Sequence, residues 1–228
     1  MNVRLVNLHP MCENNTHLLT RATRYFARNG HRLVPRGERA DLIVVGGCVV
    51  TDGMRARCER RVLELLQAET KAPVIVLGCL GALPERLASG ERLQLLGCRD
   101  GARLDRLIGA HVPFGEVQAA HLERHLPYLP DLGANNAYVA IAEGCVNACS
   151  YCNIKRAKGH VVSRPPEAIE AEVAALRAQG LASVTLLADD CGSYGLDRGL
   201  DLAALLLRLA ARVPGLNFKV YTVFPALL

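Results

Sequence analysis

Three cysteines lie close together in the middle of the chain, at a spacing that suits a metal-binding loop. Cys145, Cys149 and Cys152 form the pattern C-x-x-x-C-x-x-C. Three soft thiolates this close together are a typical way to hold an iron–sulfur cluster. A cubane cluster has four irons, so three thiolates leave one iron without a protein ligand. The spacing therefore predicts a cluster with one iron open to a substrate.

The alternative for this loop is a zinc site or a set of structural cysteines. Structural zinc sites usually take four ligands, as two C-x-x-C pairs or as pairs of cysteine and histidine. The sequence has no second such pair near residues 145–152. The iron–sulfur interpretation is therefore favoured over zinc.

A second set of three cysteines, far apart in sequence, follows three predicted strands. The first hundred residues alternate short apolar runs with helical patterns, which predicts βαβ units around a parallel sheet. Each cysteine comes just after one apolar run: Cys12 after 3–8, Cys48 after 41–47 and Cys79 after 73–78. Because the carboxyl ends of parallel strands share one edge, where ligands bind, we expect the three thiolates to meet there. This placement predicts a second metal centre.

Glycines stand near these cysteines, at positions 46, 47, 78 and 81. Because glycine has no side chain, we expect them to let a bulky inorganic cluster approach the backbone. Two alternatives stay open for this edge. The cysteines could be buried small hydrophobes, or the edge could bind a flavin or nucleotide, although no glycine-rich phosphate loop follows the first strand.

The order of the patterns predicts an α/β protein with two domains. Residues 1–110 are expected to form an N-terminal doubly wound parallel-sheet domain. Residues 111–134 carry three prolines and no sustained period, which predicts a linker. Strand and helix patterns then resume, so a second α/β domain is expected over 135–228. Three further cysteines complete no spacing and are interpreted as structural: Cys58, Cys98 and Cys191. Cys98 and Cys191 are also alternate ligands for the two centres.

The composition limits the location and the partners that can be expected for the protein. The chain has 228 residues, nine cysteines and no visible N-terminal signal peptide. The odd number of cysteines argues against a disulfide scaffold and predicts a reducing, cytoplasmic location. No apolar run approaches the length of about 20 residues that a membrane span needs, so no membrane partner is expected. A net charge of +5 is compatible with an RNA partner but does not establish one.

The central loop also carries an aromatic residue, Tyr151, directly before its last cysteine. With it the loop closely resembles the C-x-x-x-C-x-aromatic-C motif of radical S-adenosylmethionine (SAM) enzymes. Taken with the first cysteine set, nearly the whole chain resembles the methylthiotransferase family of these enzymes. The matching stretches, in the family's order, are 40–51, 74–79, 143–152, 163–173 and 184–195.

The resemblance implies a fold and two kinds of cofactor. It implies that the second domain is a truncated radical SAM partial β/α barrel, and that the chain binds SAM and two 4Fe–4S clusters. One cluster would bind SAM and the other would be auxiliary. The implied ligands are Cys145, Cys149 and Cys152 for the SAM cluster, and Cys12, Cys48 and Cys79 for the auxiliary cluster.

The resemblance also implies a reaction. A 5′-deoxyadenosyl radical made from SAM would abstract hydrogen from an unactivated C–H bond, where sulfur and a methyl group are then inserted. An electron donor such as a flavodoxin or ferredoxin is expected. The expected substrate is a tRNA adenosine near the anticodon. Family members also act on an aspartate of a ribosomal protein, so a protein or peptide substrate stays open.

The candidates for contacts to SAM are polar residues at predicted strand ends, cationic residues and the motif tyrosine. They are Tyr151, Lys155, Arg164, Asp189, Asp190, Tyr221 and Thr222. Arg164 and Lys155 could neutralise the carboxylate of SAM or a phosphate of the substrate. Each candidate could also be an ordinary solvated polar residue.

Three departures from the family pattern bear on function. Gly46 and Gly47 stand where the family usually has Asn-Thr, and Asp189 stands where Gln or Glu is common. The chain also stops after the expected fourth barrel strand, before the last βα units and the small RNA-binding domain. Two other functions therefore stay open. One is a radical SAM enzyme for a peptide or small molecule, and the other is a non-catalytic iron–sulfur protein or partner-dependent subunit.

Overall fold

A computed structural model describes residues 1–68, 71–117 and 136–227 of the chain, in two units. The first unit comprises Met1–Gln118 and Cys149–Lys158, and the second comprises Ala119–Ala148 and Gly159–Leu228. The segment Cys149–Lys158 thus belongs with the first unit, although its neighbours in sequence belong to the second. The predicted domain limits of 1–110, 111–134 and 135–228 did not anticipate this segment.

A five-stranded parallel sheet forms the centre of the first unit. Its strands are β1 (Asn2–Asn7), β2 (Arg32–Leu33), β3 (Leu42–Gly46), β4 (Val74–Leu77) and β5 (Leu93–Leu96). They lie in the order β2-β1-β3-β4-β5. Strands β3 and β4 carry only apolar residues and glycine, because a parallel sheet with helices on both faces buries both sides. The strand order reverses between β1 and β3, which is where sheets of this kind bind ligands.

Helices cover both faces of this sheet. They are α1 (Glu13–Arg28), α2 (Asp52–Ala68), α3 (Cys79–Ala82), α4 (Gly101–Ile108) and α5 (Ile154–Lys158). Successive residues of β3 point to opposite faces, so Leu42 and Val44 pack with α1 and α4. Ile43 and Val45 pack on the other face with α2 and α3. The predicted doubly wound arrangement is therefore confirmed.

The second unit is built on a three-stranded parallel sheet and one small antiparallel pair. Its strands are β6 (Asn136–Ala140), β7 (Ala142–Glu143), β8 (Val162–Ser163), β9 (Ser183–Leu187) and β10 (Asn217–Tyr221). The parallel strands lie in the order β10-β9-β6, and β7 pairs with β8. Helices α6 (Pro166–Ala178) and α7 (Leu202–Arg212) connect the parallel strands. Strands in chain order with crossing helices are the pattern of βα repeats in a β/α barrel.

The described part of the second unit has three parallel strands. In the first unit, the helix after β4 is short and spans Cys79–Ala82. Leu83 ends that helix because the residue before a proline is biased away from helical geometry. Across the described ranges, every helix is too short or too polar to cross a membrane.

The predicted linker lies mostly outside the described residues. Its described part, residues 111–117, packs against the first unit. The ring of Phe114 lies edge-on to Tyr25, with 5.1 Å between ring centroids. Asp105 in α4 joins the two, since its carboxylate accepts the hydroxyl of Tyr25 at 2.7 Å and the N–H of Phe114 at 2.9 Å.

Gly81 gives a test of how tightly α3 packs on the sheet edge. A Cβ at this position would stand 2.5 Å from the carbonyl oxygen of Val76 and would overlap that of Leu96. Because both are backbone atoms, Gly81→Ala must displace α3, and we expect it to lower the free energy of unfolding by about 1–3 kcal/mol. Gly53→Ala in α2 is the control, since no atom lies within 4 Å of its new Cβ. Urea denaturation that finds the two variants equally stable would contradict this packing.

Candidate metal centres

The thiols of the first unit gather at the carboxyl edge of its sheet. Cys12 follows β1, Cys48 follows β3, and Cys79 opens α3 just after β4. The thiol of Cys48 hydrogen-bonds to the sulfur of Cys12 and lies within electrostatic range of Cys79. Cys12 and Cys48 therefore flank the point where the strand order reverses, with Cys79 on the next strand along.

The hydrogen bond between Cys48 and Cys12 affects the protonation of this set. That bond and the burial of Cys48 raise the pKa of its thiol well above the usual range. Metals bind the thiolate form of cysteine. Metal loading at this edge must therefore displace the proton of Cys48.

A network of side-chain amides holds the Cys12 loop. Asn7, the last residue of β1, accepts hydrogen bonds from the N–H of His9 at 3.1 Å and the amide of Asn15 at 2.7 Å. Its own amide donates to the hydroxyl of Thr16 at 3.0 Å. The N–H of Thr16 donates to the carbonyl of Cys12 at 3.0 Å. Sequence reasoning missed these residues, and the available signal was the asparagine at the end of β1, shortly before Cys12.

The glycines near these cysteines do not make room for a cluster. A Cβ on Gly46 would stand 2.6 Å from Oδ1 of Asn15, and one on Gly47 would stand 2.7 Å from Cδ2 of Leu80. Positions 78 and 81 are likewise filled by protein atoms. The expectation that these glycines admit an inorganic cluster is wrong, because helix packing against the sheet uses the space. Packing also accounts for Gly46-Gly47 at a place where Asn-Thr was expected.

Cys149 and Cys152 lie in a turn that the next residue anchors. The N–H of Cys152 donates to the carbonyl of Cys149 at 3.1 Å. Asn153 follows and is 6% exposed. Its amide donates to the carboxylate of Asp52 at 2.8 Å, and its oxygen accepts from Arg156 at 2.9 Å. The turn is thus fixed by a buried polar side chain bonded to the start of α2.

Val50 contacts both cysteine loops of the first unit. Its N–H points at the sulfur of Cys48, 3.5 Å away. Its carbonyl accepts the N–H of Asn153 at 3.0 Å. Asn153 directly follows Cys152. Val50 therefore contacts Cys48 of one cysteine set and the residue next to Cys152 of the other. The two loops therefore lie side by side within the first unit.

Tyr151 and the basic run at 155–158 differ in how exposed their side chains are. The side chain of Tyr151 is 69% exposed. Arg156 is bonded to Asn153. Of the three cations in this run, Lys158 is buried, Lys155 is half-buried and Arg156 is exposed.

Cys145 belongs to the second unit, in a loop that requires glycine before it. Gly144 has a φ of 88°, and a Cβ there would stand 2.5 Å from the carbonyl oxygen of His160. The N–H of Gly144 donates to the carboxylate of Asp189 at 2.9 Å. The N–H of Cys145 donates to the carbonyl of Gly159 at 3.4 Å. Asp189, at the end of β9, therefore positions the residue before Cys145.

Asp190 is buried and accepts hydrogen bonds from four protein groups. Its Oδ1 accepts the N–H groups of Gly192 at 3.1 Å and Phe224 at 3.0 Å. Its Oδ2 accepts the hydroxyl of Ser193 at 2.8 Å and the amide of Asn147 at 2.7 Å. That amide also lies 3.4 Å from the sulfur of Cys145. Asp190 thus ties the Cys145 loop to the end of β9.

The cation Arg164 is already paired. Its guanidinium forms an ion pair with Glu172 at 2.7 Å and donates to the carbonyl of Ala140 at 2.6 Å. A contact to a SAM carboxylate, as predicted, would have to use its remaining N–H groups.

The last two candidates, Tyr221 and Thr222, lie at the end of β10, where their carbonyls accept hydrogen bonds from the buried Cys191. Cys191 donates its thiol to the carbonyl of Tyr221 at 2.9 Å and its N–H to the carbonyl of Thr222 at 2.8 Å. Burial raises the pKa of the Cys191 thiol to about 12, which fits a structural thiol rather than a metal ligand. Thr222 has a φ of 59°, a left-handed backbone that is strained for a β-branched residue. Such strain is typical of functional edges.

The donor set fits an iron–sulfur cluster better than a single ion. In the described part of the chain, no three His, Cys, Asp or Glu side chains are grouped so as to hold one metal ion. A cubane does not need such a group, because each thiolate binds a separate iron. Thiols meeting at a sheet edge are the soft ligands that iron–sulfur clusters take.

Comparison with known proteins places this chain in a family. The model described as "Uncharacterized protein family UPF0004" matches residues 10–98, and that of the Radical SAM superfamily matches residues 139–223. A "Probable threonylcarbamoyladenosine tRNA methylthiotransferase" from Pyrococcus horikoshii is 34% identical over 80% of this chain and 44% of its own length. The chain belongs to the methylthiotransferase family of radical SAM proteins.

Other relatives in this family carry different names. The "Ribosomal protein uS12 methylthiotransferase RimO" of Moorella thermoacetica is 32% identical over 84% of this chain and 46% of its own length. The chain thus spans about half the length of the curated methylthiotransferases that it matches. Among solved structures, the radical SAM methyltransferase TsrM from Kitasatospora setae superposes with a TM-score of 0.53. The match covers 92% of this chain and 51% of that one, at 13% identity, and concerns the fold.

The anchoring role of Asn153 can be tested by Asn153→Ala. The change removes a buried donor to Asp52 and an acceptor from Arg156, so we expect a loss of about 1–3 kcal/mol in the free energy of unfolding. Asn217→Ala, at an exposed position of β10, is the control. Urea denaturation compares the two, and equal stability would show that the amide does not hold the turn.

Asp190→Asn tests the second network. The new amide would turn an NH2 group towards existing donors, so we expect a loss of about 2–4 kcal/mol in the free energy of unfolding. Asp201→Asn is the matched control, because Asp201 caps α7 by accepting the N–H of Ala204 at 2.7 Å and asparagine caps as well as aspartate. Both are measured by thermal and urea unfolding. A loss at position 201 as large as that at 190 would rule out a special role for Asp190.

Proposed function

We propose that this chain is the cluster-binding and radical-forming part of a methylthiotransferase, which inserts sulfur and a methyl group at an unactivated C–H bond. The observation that carries the proposal is the position of Val50, which contacts the loops of both cysteine sets. A carbon radical must meet the transferred sulfur before it reacts elsewhere. Adjacent centres satisfy that demand for proximity.

The proposed ligands are Cys12, Cys48 and Cys79 for an auxiliary 4Fe–4S cluster, and Cys145, Cys149 and Cys152 for the cluster that binds SAM. When bound, these cofactors supply the electron that cleaves SAM and the sulfur that is transferred. A one-electron donor such as a flavodoxin or ferredoxin would serve the reaction.

In this proposal the protein's own residues mainly hold the loops. Asn7, Asn153 and Asp190 hold the loops of Cys12, Cys152 and Cys145 through hydrogen bonds within the protein. Cys48 releases a proton as its thiolate forms. Because its carboxylate already accepts four hydrogen bonds, Asp190 is a positioning residue rather than a contact to SAM.

The proposed contacts to SAM are the remaining candidates at the loops and strand ends: Tyr151, Asp189, Tyr221 and Thr222. Tyr151 is exposed beside Cys152, which leaves its ring available to a bound ligand. Arg164 joins them through the guanidinium N–H groups that Glu172 and Ala140 leave unused.

The proposed substrate is a tRNA adenosine near the anticodon, with a ribosomal-protein side chain as the second candidate. The relative from Pyrococcus horikoshii is named for tRNA and the one from Moorella thermoacetica for a ribosomal protein, at nearly equal identity. The burial of Lys158 leaves less exposed positive charge beside Cys152 for a phosphate backbone, and this observation keeps the protein substrate in view.

Iron and sulfide content after anaerobic reconstitution tests the cofactor proposal. We expect about eight irons per chain, falling to about four in the triple variant Cys145→Ala, Cys149→Ala, Cys152→Ala, as two cubane clusters require. Production of 5′-deoxyadenosine from SAM with a reductant should be lost in that variant. About four irons falling to none would remove the auxiliary cluster, and with it sulfur insertion. Clusters without 5′-deoxyadenosine would indicate a non-catalytic iron–sulfur protein.

Binding in a salt series distinguishes the substrates. A tRNA substrate predicts retardation that weakens steeply as salt rises, because phosphate contacts release counterions. The reconstituted protein is compared with unmodified tRNA and with ribosomal protein uS12. Binding to uS12 with no salt-dependent binding to tRNA would reverse the order of the two candidates.

A further inference from the structure

The two units of the chain differ in net charge. The first unit, Met1–Gln118 with Cys149–Lys158, contains 20 Lys and Arg residues against 12 Asp and Glu residues, a net charge of +8. The second unit contains 7 against 10, a net charge of −3. The net charge of +5 for the whole chain therefore combines a basic first unit with a mildly acidic second one. Such asymmetry is typical of chains whose basic part binds a polyanion.

Helix α1 carries its cations on the side away from the sheet. His17, Arg21, Arg24 and Arg28 are spaced by four, three and four residues, which places them on one face of the helix. The apolar residues of α1 pack on the sheet from the opposite side. Arg28 is exposed, and Arg21 and Arg24 are half-buried. The helix has one acidic residue, Glu13, in its first turn.

Helix α4 extends this cationic surface. Arg99, just before the helix, and Arg103 and Arg106 within it are exposed and are spaced by four and three residues. The carboxylate of Asp105 is turned towards α1, where it accepts the hydroxyl of Tyr25 at 2.7 Å. Both helices pack on the same face of the sheet. Their outward arginines therefore lie on one side of the first unit, as a surface that we name the arginine face: Arg21, Arg24, Arg28, Arg99, Arg103 and Arg106.

The part of the arginine face next to segment 111–117 stays positive. The guanidinium of Arg21 stacks on the ring of Phe114, 4.2 Å from its centroid, and donates to the carbonyl of the same residue at 2.6 Å. Both of these partners are neutral. Arg24 and Arg28 line a groove of about 370 Å³ in which Glu116 is the one acidic residue among those that the structure describes. Two guanidinium groups thus stand against one carboxylate in that groove.

We propose that the arginine face binds the phosphate backbone of an RNA stem, an assignment that rests on the proposed tRNA substrate and says where its backbone is held. Every member of this face is arginine, whose planar fork of N–H groups matches a phosphate better than lysine does. Helix α1 begins directly after Cys12, and α4 begins shortly after β5. Both helices therefore start at the carboxyl edge of the sheet, so RNA bound along them would reach the edge of the proposed auxiliary cluster.

Other polyanions would be attracted by the same charges, and two features favour RNA. A helix that lies on a membrane needs an apolar side to bury in it, and the apolar side of α1 is already buried on the sheet. A stable protein interface has a core that is depleted of charged residues, whereas the outward positions of α1 hold cations. A phosphate backbone therefore fits this surface best.

Gel retardation of unmodified tRNA by the reconstituted full chain, in a salt series, tests the assignment. The triple variant Arg28→Gln, Arg103→Gln, Arg106→Gln removes three charges from the arginine face. Each phosphate contact contributes about 0.7–0.9 to the slope of log K against log salt concentration, so we expect the slope to fall by about 2–3. The same three positions changed to Lys keep the charge and should keep most of the slope.

The matched control is the triple variant Arg57→Gln, Arg60→Gln, Arg61→Gln. These exposed arginines lie on α2, which packs on the other face of the sheet. We expect the control to bind tRNA with the slope of the unchanged chain. Equal losses in both triple variants would show that total charge alone matters, and would overturn the proposal. An unchanged slope in the Arg28, Arg103 and Arg106 variant would overturn it as well, while leaving tRNA as a substrate.

Two further outcomes separate this surface from the proposed function and from other partners. If the unchanged chain shows no salt-dependent binding to tRNA, the tRNA substrate fails and the arginine face fails with it as an RNA surface. Competition is measured with polyglutamate and with vesicles of anionic phospholipid, at the same concentration of negative charge as unlabelled tRNA. A competitor that displaces labelled tRNA as well as tRNA itself does would reassign the surface to an acidic protein or to a membrane, respectively.

Discussion

Parallel strand pairing in the first unit is the constraint on which its cysteine site depends. Each strand has one register in which its apolar side chains reach both helical layers. Ile43 and Val45 face one layer, and Leu42 and Val44 face the other. A slip of one residue would send each side chain to the opposite face. The core therefore fixes the height at which β3 ends and, with it, the position of Cys48 relative to Cys12 and Cys79.

Beyond the strand ends, the register of the sheet no longer fixes the backbone. Hydrogen bonds from polar side chains hold the loops there instead. Three of the cysteine loops are each held by one polar side chain with several partners: Asn7 for the Cys12 loop, Asn153 for the turn after Cys152, and Asp190 for the Cys145 loop. Asn153 and Asp190 are buried. A fully satisfied buried network defines one arrangement, because breaking any part leaves a costly unpaired group. The loops are thus ordered by the protein and not only by a cofactor.

The division between sheet and loop explains what could be predicted from the sequence. Apolar runs predicted β1, β3 and β4, and the rule for parallel strands brought their cysteines to one edge. The link from Asn153 to Asp52 spans 101 positions, and no local pattern signals it. The role expected for the glycines near the cysteines could not be checked from the sequence for a related reason. They contact residues such as Asn15, which lie on helices, and no local pattern tells where a helix packs on the sheet.

Cys98 shows the same limit from the other side. It completes no spacing along the chain, so the sequence leaves it as a structural thiol or an alternate ligand. Strand register decides its neighbour, since Leu77 pairs with Leu96 and the sulfur of Cys98 lies 3.9 Å from that of Cys79. The packing of β5 beside β4, rather than any motif, therefore determines which thiols are close together at this edge.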